Sequence, residues 1–164
     1  MPRLTNEKSI KNALSQYQES LRIEFDKIIK KTTNEIEIAF KEKEKGAKNN
    51  LEEQAQEFSI IKIIDTLLRH AILQRASDVH IEPSKNQVLI RYRIDGILHD
   101  AMILPICTKS GIVARIKVLS NLKIDESRLP QDGRFKIETE EYKYSCRVSI
   151  LPVSDGEKIV IRLL

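Results

Sequence analysis

The sequence predicts an α+β fold, with helices on one face of a mixed or antiparallel sheet and a long N-terminal amphipathic helix ahead of it. Three observations predict it. Apolar residues recur at helical spacing in two separate stretches, from about Leu51 to Arg75 and from Thr108 to about Leu122. After Arg128 the period becomes two, in the runs Arg134–Ile137, Tyr142–Leu151 and Lys158–Leu164, with Gly133 and Gly156 as punctuation. Between the helical stretches, Asp95-Gly96 separates two more alternating runs, which is a strong hairpin signal.

Residues 4 to about 45 form the first expected element. Ile10, Leu14, Tyr17, Leu21, Phe25 and Ile28 recur at steps of three and four, a heptad-like seam. Thr5 or Asn6 can cap its start. A stripe of this kind serves a helix packed on its own domain, a docking helix or a coiled coil. The run KEKEK at 41–45, followed by Gly46, Asn49 and Asn50, reads as a solvated helix end and linker. The chain is therefore divided into residues 1–50, a docking or coiled-coil helix with its linker, and residues 51–164, an α+β domain.

In the second helix Ile60, Ile61, Ile64, Leu67, Leu68, Ala71 and Ile72 make a wide apolar face suited to a sheet. DVHIEP follows as an extended run stopped by Pro83. In QVLIRYRIDG, alternation puts Val88, Ile90, Tyr92 and Ile94 on one side and Leu89, Arg91 and Arg93 on the other. ILHDAMIL returns from the hairpin and Pro105 stops it. In the third helix Ile112, Val113, Ile116 and Leu119 face inward, and Arg115 and Lys117 are expected to face solvent. RLPQDGR reads as a turn made by Pro130 and Gly133.

Composition narrows the function classes. The 164 residues are 41% hydrophobic and 32% charged, with 5% aromatics and no Trp, so the core is aliphatic. A net charge of +4 without any basic block of five or six argues against a nucleic-acid partner. Cys107 and Cys146 form no CxxC pair, and His70, His80 and His99 stand apart, so no metal site is expected. Asp78, His80 and Glu82 share one strand face by alternation, where a polar, hydrogen-bonded face is the simpler expectation than a metal or acid–base site. Residues 1–30 show no signal peptide, and no run reaches the roughly 18 apolar residues of a membrane span. The expected compartment is the cytoplasm.

Two arginines lie inside strand runs, Arg147 in SCRVS and Arg162 in IVIRLL. A guanidinium keeps its charge and carries five donors in a fork, so on a strand it needs an oxyanion or a solvated face. Ion pairing with Glu138, Glu140 or Glu141 is the plain alternative. The five glycines are too far apart to build a GxxxxGKS/T loop, so this stretch carries no phosphate-cradling loop and no catalytic residue of its own.

ASDVHIEP, RYRIDGIL, ARIKVLSNLKIDESRLPQDGR and SCRVSILPVSDGEKIVIRLL occur in an order and spacing that resembles the secretion ATPase superfamily, specifically the type II secretion and type IV pilus assembly ATPases. The resemblance covers about Ile60 to Leu164. It implies a PAS-like second N-terminal domain, joined in those proteins to a RecA-like motor domain. It implies that Arg147 and Arg162 reach the terminal phosphate of a nucleotide, that ATP and Mg2+ are bound mainly by the motor domain, and that this chain alone is inactive. It further implies a homo-hexamer, an inner-membrane platform protein and a cytoplasmic membrane-anchoring subunit as partners, and a position peripheral to the inner membrane. The resemblance treats Arg128, Asp132, Gly133 and Arg134 as structural first and interfacial second. The alternative function is a stand-alone interaction or scaffold module without ATPase activity.

Overall fold

A computed structural model describes residues 50–138 and 143–164, together with Lys27, Lys30, Lys31, Thr33, Asn34 and Ile38; within the first helix, side chains are described from Ser59 onward. The expected N-terminal helix over residues 4–45 lies outside the described residues, apart from those six positions. The elements are α1 (Asn50–Leu73), β1 (Asp78–Pro83), β2 (Gln87–Ile94), β3 (Ile97–Pro105), a short 3-10 turn (Ile106–Thr108), α2 (Lys109–Leu119), β4 (Gln131–Glu138), β5 (Lys143–Val153) and β6 (Gly156–Leu163). The strands form one antiparallel sheet in the order β3-β2-β1-β6-β5-β4.

Helix α1 buries the stripe that its spacing encodes. Ile60, Ile63, Ile64, Leu67, Leu68 and Ala71 pack into one core cluster with Val79, Ile81, Val88, Ile90 and Tyr92 of β1 and β2. Full burial of one such aliphatic side chain contributes about 1.5–3 kcal/mol, so this face holds the helix down. The Tyr92 hydroxyl donates to the Leu67 carbonyl at 3.0 Å, which fixes where α1 crosses the sheet. Burial pushes the Tyr92 phenol above its ordinary range, so it stays a donor.

Both helices end in the same device. Arg75 and Asn121 take left-handed φ values of 54°. Ala76 N–H reaches the Ala71 carbonyl and Arg75 N–H the Ile72 carbonyl; Leu122 N–H reaches Lys117 and Asn121 N–H reaches Val118. This is the Schellman pattern, which satisfies the last carbonyls and turns the chain sharply. The hairpin expected at Asp95-Gly96 forms with both φ values positive, 51° and 83°, as a type I′ turn requires.

Helix α2 adds Ile112 and Ile116 to the same core. Lys117, expected to face solvent, is 1% exposed. Its Nζ lies 2.7 Å from Glu157 Oε1 and donates to the Glu126 carbonyl, also at 2.7 Å. The ammonium is buried because a carboxylate from the start of β6 and a loop carbonyl replace its water.

Gly133 was expected in a turn and instead lies inside β4, opposite Val148. A Cβ there would stand 2.8 Å from the Ser120 carbonyl oxygen and 2.9 Å from Ser120 Cβ. Gly133 therefore permits a close approach between β4 and the end of α2, rather than a bend.

Candidate functional site

The helices cover one face of the sheet. The opposite face carries the strand-borne charges, and the register orders them into rows. Arg134 pairs with Arg147, Arg147 with Arg162, Arg162 with Asp78, and Asp78 with Arg93. Partners in an antiparallel ladder point to the same side, with Cα atoms about 4.5–5.5 Å apart. One line of side chains, Arg134–Arg147–Arg162–Asp78–Arg93, thus runs across five strands. Arg134, Arg147 and Arg162 are exposed, whereas Asp78 is buried at 4% exposure.

Asp78 is the organising group of this line. Arg162 donates Nε–H to Asp78 Oδ1 at 2.9 Å, Arg93 Nε stands 3.3 Å from Oδ2, and the Ser77 hydroxyl donates to Oδ2 at 2.9 Å. Burial is the strongest single influence on the Asp78 carboxyl and raises its pKa. The hydrogen bonds from Arg162 and Ser77 and the two arginine charges together outweigh it and hold the carboxyl below its ordinary value. Asp78 engages Arg162 through Nε, and the guanidinium, 62% exposed, carries further donors on its two terminal nitrogens.

The second row repeats the theme around a histidine. Val160 pairs with His80 and His80 with Arg91. Beyond it, Glu82 is flanked by Lys158 Nζ at 2.7 Å on one side and by Arg91 Nη2 on the other. For Glu82 too, burial raises the pKa, but bonds and charges from Lys158 and Arg91 prevail and lower it. His80 Nδ1 is 3.8 Å from Glu82 Oε1. Burial, then the Lys158 charge, disfavours its protonation and lowers its pKa.

The shared face of Asp78, His80 and Glu82 is present, as a hydrogen-bonded ionic network. Among the described residues, no group of three or more His, Cys, Asp and Glu could hold a metal ion. Arg147 and Arg162 are brought together on one face, on neighbouring strands and a single ladder step apart. Among the described residues, the ion pairs of this face join Arg162 to Asp78 rather than to Glu138; Glu140 and Glu141 lie outside the described residues. Asp78 as the partner of Arg162 escaped the sequence reading because the two are 84 residues apart. Strand order was the missing information, since alternation assigns a face and not a neighbour.

Cys146 is a buried thiol outside any disulfide. Burial raises the Cys146 pKa to about 11, so this thiol is a core group and not a nucleophile. No helix among the described residues is long and apolar enough to cross a membrane.

Comparison with known proteins places the chain in a family. Residues 53–164 match the family model described as type II/IV secretion system protein. The chain is 35% identical over 165 residues to the type IV pilus assembly ATPase PilB of Myxococcus xanthus, covering 98% of this chain and 28% of that protein. It is 39% identical over 114 residues to type II secretion system protein E of Xanthomonas campestris pv. campestris, covering 70% and 20%. It is 47% identical over 103 residues to the protein transport protein HofB homolog of Escherichia coli, covering 63% and 22%. The chain thus spans between a fifth and under a third of the length of these relatives.

Proposed function

The chain belongs to the type II/IV secretion system protein family, and on that premise we propose that residues 51–164 are a PAS-like domain which clamps the phosphates of ATP held on a neighbouring RecA-like motor domain. In this reading the complete protein is a hexameric secretion or pilus assembly ATPase. Arg147 and Arg162 grip the terminal phosphate, and closure of the domain couples hydrolysis to protein secretion or pilus assembly.

The observation that carries the reading is the ladder pairing of Arg147 with Arg162 on the exposed sheet face. Two planar forks one strand apart can converge on the oxygens of one phosphoryl group. Fixed positive charge there stabilises the negative charge that spreads over those oxygens during phosphoryl transfer. The Asp78 contact at Nε sets the Arg162 fork, whose two terminal nitrogens carry its remaining donors. The residues present fit the phosphate end of the nucleotide. Mg2+ and the nucleoside fall to the motor domain.

Residues 1–50 then serve as the docking segment. The partners are an inner-membrane platform protein and a cytoplasmic membrane-anchoring subunit, and the setting is the cytoplasmic side of the inner membrane. ATP turnover of the complete ATPase carrying Arg147→Ala tests the core of this reading. A fall of well over tenfold, with an unchanged melting temperature, is expected. Turnover equal to the parent protein's would remove Arg147 from the site.

A further inference from the structure

In RLPQDGR, the structure accounts for Gln131, Asp132 and Gly133 by their contacts within the domain. Gln131 zips the preceding loop: its Oε1 accepts from Lys123 N–H at 3.0 Å, and its Nε2 donates to the Lys123 and Glu126 carbonyls at 3.0 and 2.9 Å. Asp132 accepts a hydrogen bond from Ser149 Oγ across the β4–β5 ladder. Gly133 admits the backbone of Ser120. These contacts lock β4 against the end of α2 and against β5. Arg134 comes next, exposed, directly opposite Arg147.

Three guanidiniums therefore stand on three adjacent strands. Like charges placed opposite each other in a ladder are destabilising. Among the described residues, the ion pairs of this face use Asp78 and Glu82, and none of them includes Arg134 or Arg147. Asp132, two residues along the same side of β4, bonds Ser149. Among the described residues, ion pairing on this face is thus concentrated at its β1–β2 end. A rigid strand that presents repelling forks in register is organised for an anion with several oxygens.

We propose that Arg134 is a third phosphate-contacting residue, which extends the Arg147–Arg162 pair into a three-fork comb for a polyphosphate. The inference rests on the phosphate reading of Arg147 and Arg162 above. Arg147, the middle of the comb, has a fork on either side, and the arms of all three can converge over β5. The comb selects a chain of phosphates over a single phosphate, because its outer members sit two ladder steps apart, about 10 Å between Cα atoms.

Titration of the 164-residue chain with sodium tripolyphosphate at low ionic strength, read by calorimetry and by amide chemical shifts, tests this. Arg134→Ala is expected to weaken binding about tenfold, as are Arg147→Ala and Arg162→Ala. Arg134→Lys should recover only part of the loss, because it keeps the charge and loses the fork. Lys136→Ala removes an equal charge from the same side of β4, one row away, and should change binding less than twofold. If Arg134→Ala aggregates, Arg134→Gln gives the same comparison with a side chain of similar length.

The outcomes separate the two ideas. Unchanged binding by the Arg134 variants, with loss in the Arg147 and Arg162 variants, overturns the third contact and leaves the pair standing. Equal loss in Lys136→Ala overturns it as well, since charge alone would then account for binding. Failure of the parent chain to bind tripolyphosphate, or binding indifferent to Arg147 and Arg162, overturns the comb, while turnover of the complete ATPase carrying Arg147→Ala still decides the pair. Equally tight binding of tripolyphosphate and monophosphate rejects the comb.

Discussion

Arg162 and Asp78 join the sixth strand of the sheet to the first, through an Nε–Oδ1 hydrogen bond of 2.9 Å across a sequence gap of 84 residues. The carboxylate is buried and the guanidinium is 62% exposed, so the two ends of this bond have unequal needs. Removing the acid leaves two arginines that water can solvate. Removing the arginine leaves a buried carboxylate with fewer donors.

Asp78→Ala should therefore lower the unfolding free energy of the chain by about 1–3 kcal/mol, short of the cost of stranding a buried charge. Asp78→Asn should cost less, because the amide oxygen still accepts. Urea unfolding of the two variants against the parent checks the order.

Lys117 is the opposite case, since both partners are enclosed. Lys117→Ala strands the Glu157 carboxylate, 11% exposed, and frees the Glu126 carbonyl. The expected loss is about 3–5 kcal/mol, larger than for Asp78→Ala. Replacing Lys117 and Glu157 together by Met should cost less than Lys117→Met alone. Double-mutant unfolding data would expose the coupling, and additive losses would contradict it.

Gly133→Ala and Gly111→Ala give a matched pair. A Cβ at Gly133 meets backbone, the Ser120 carbonyl at 2.8 Å. At Gly111 it meets Ile60 Cγ1 at 2.9 Å, a side chain that can rotate. Gly133→Ala is expected to destabilise by about 1–3 kcal/mol, and Gly111→Ala by less. The same experiment should show amide-shift changes spreading from Gly133 into Arg134 and Arg147, which the Gly111 variant leaves alone.

Stability should fall with acidity in two stages. His80 has a folded pKa below its ordinary 6.5, so the unfolded chain takes up its proton first. Its contribution is complete above about pH 6.5 and is lost as pH falls through the folded value. Asp78 and Glu82 are also held below their ordinary values of 3.8 and 4.5, so theirs is complete above those values and lost further down. Melting temperatures from pH 8 to pH 3 should decline in both ranges. In His80→Gln the upper decline should shrink.

The alternating runs and the Asp95-Gly96 turn made the strands legible, because period-two burial and a positive-φ pair leave few other conformations. The pairing of Asp78, His80 and Glu82 on one face followed from the same rule. What stayed hidden depended on contacts remote in sequence. Lys117 reads as a surface residue unless Glu157 is known to sit above it. Gly133 reads as a turn unless Ser120 is known to press on it. Arg134 was absorbed into the turn motif for that reason, and its alignment with Arg147 emerged only from the β4–β5 register.

The sheet order places the earliest and latest strands side by side at its centre, as β1 and β6. Each half, β1–β3 and β4–β6, can form from local hairpins, but the halves join only along that seam. On the ribosome, a nascent chain would hold a β1–β3 meander and a β4–β5 hairpin until β6 has emerged. Arg162 arrives with β6, so no nascent chain that stops short of that strand can present the complete row of charges.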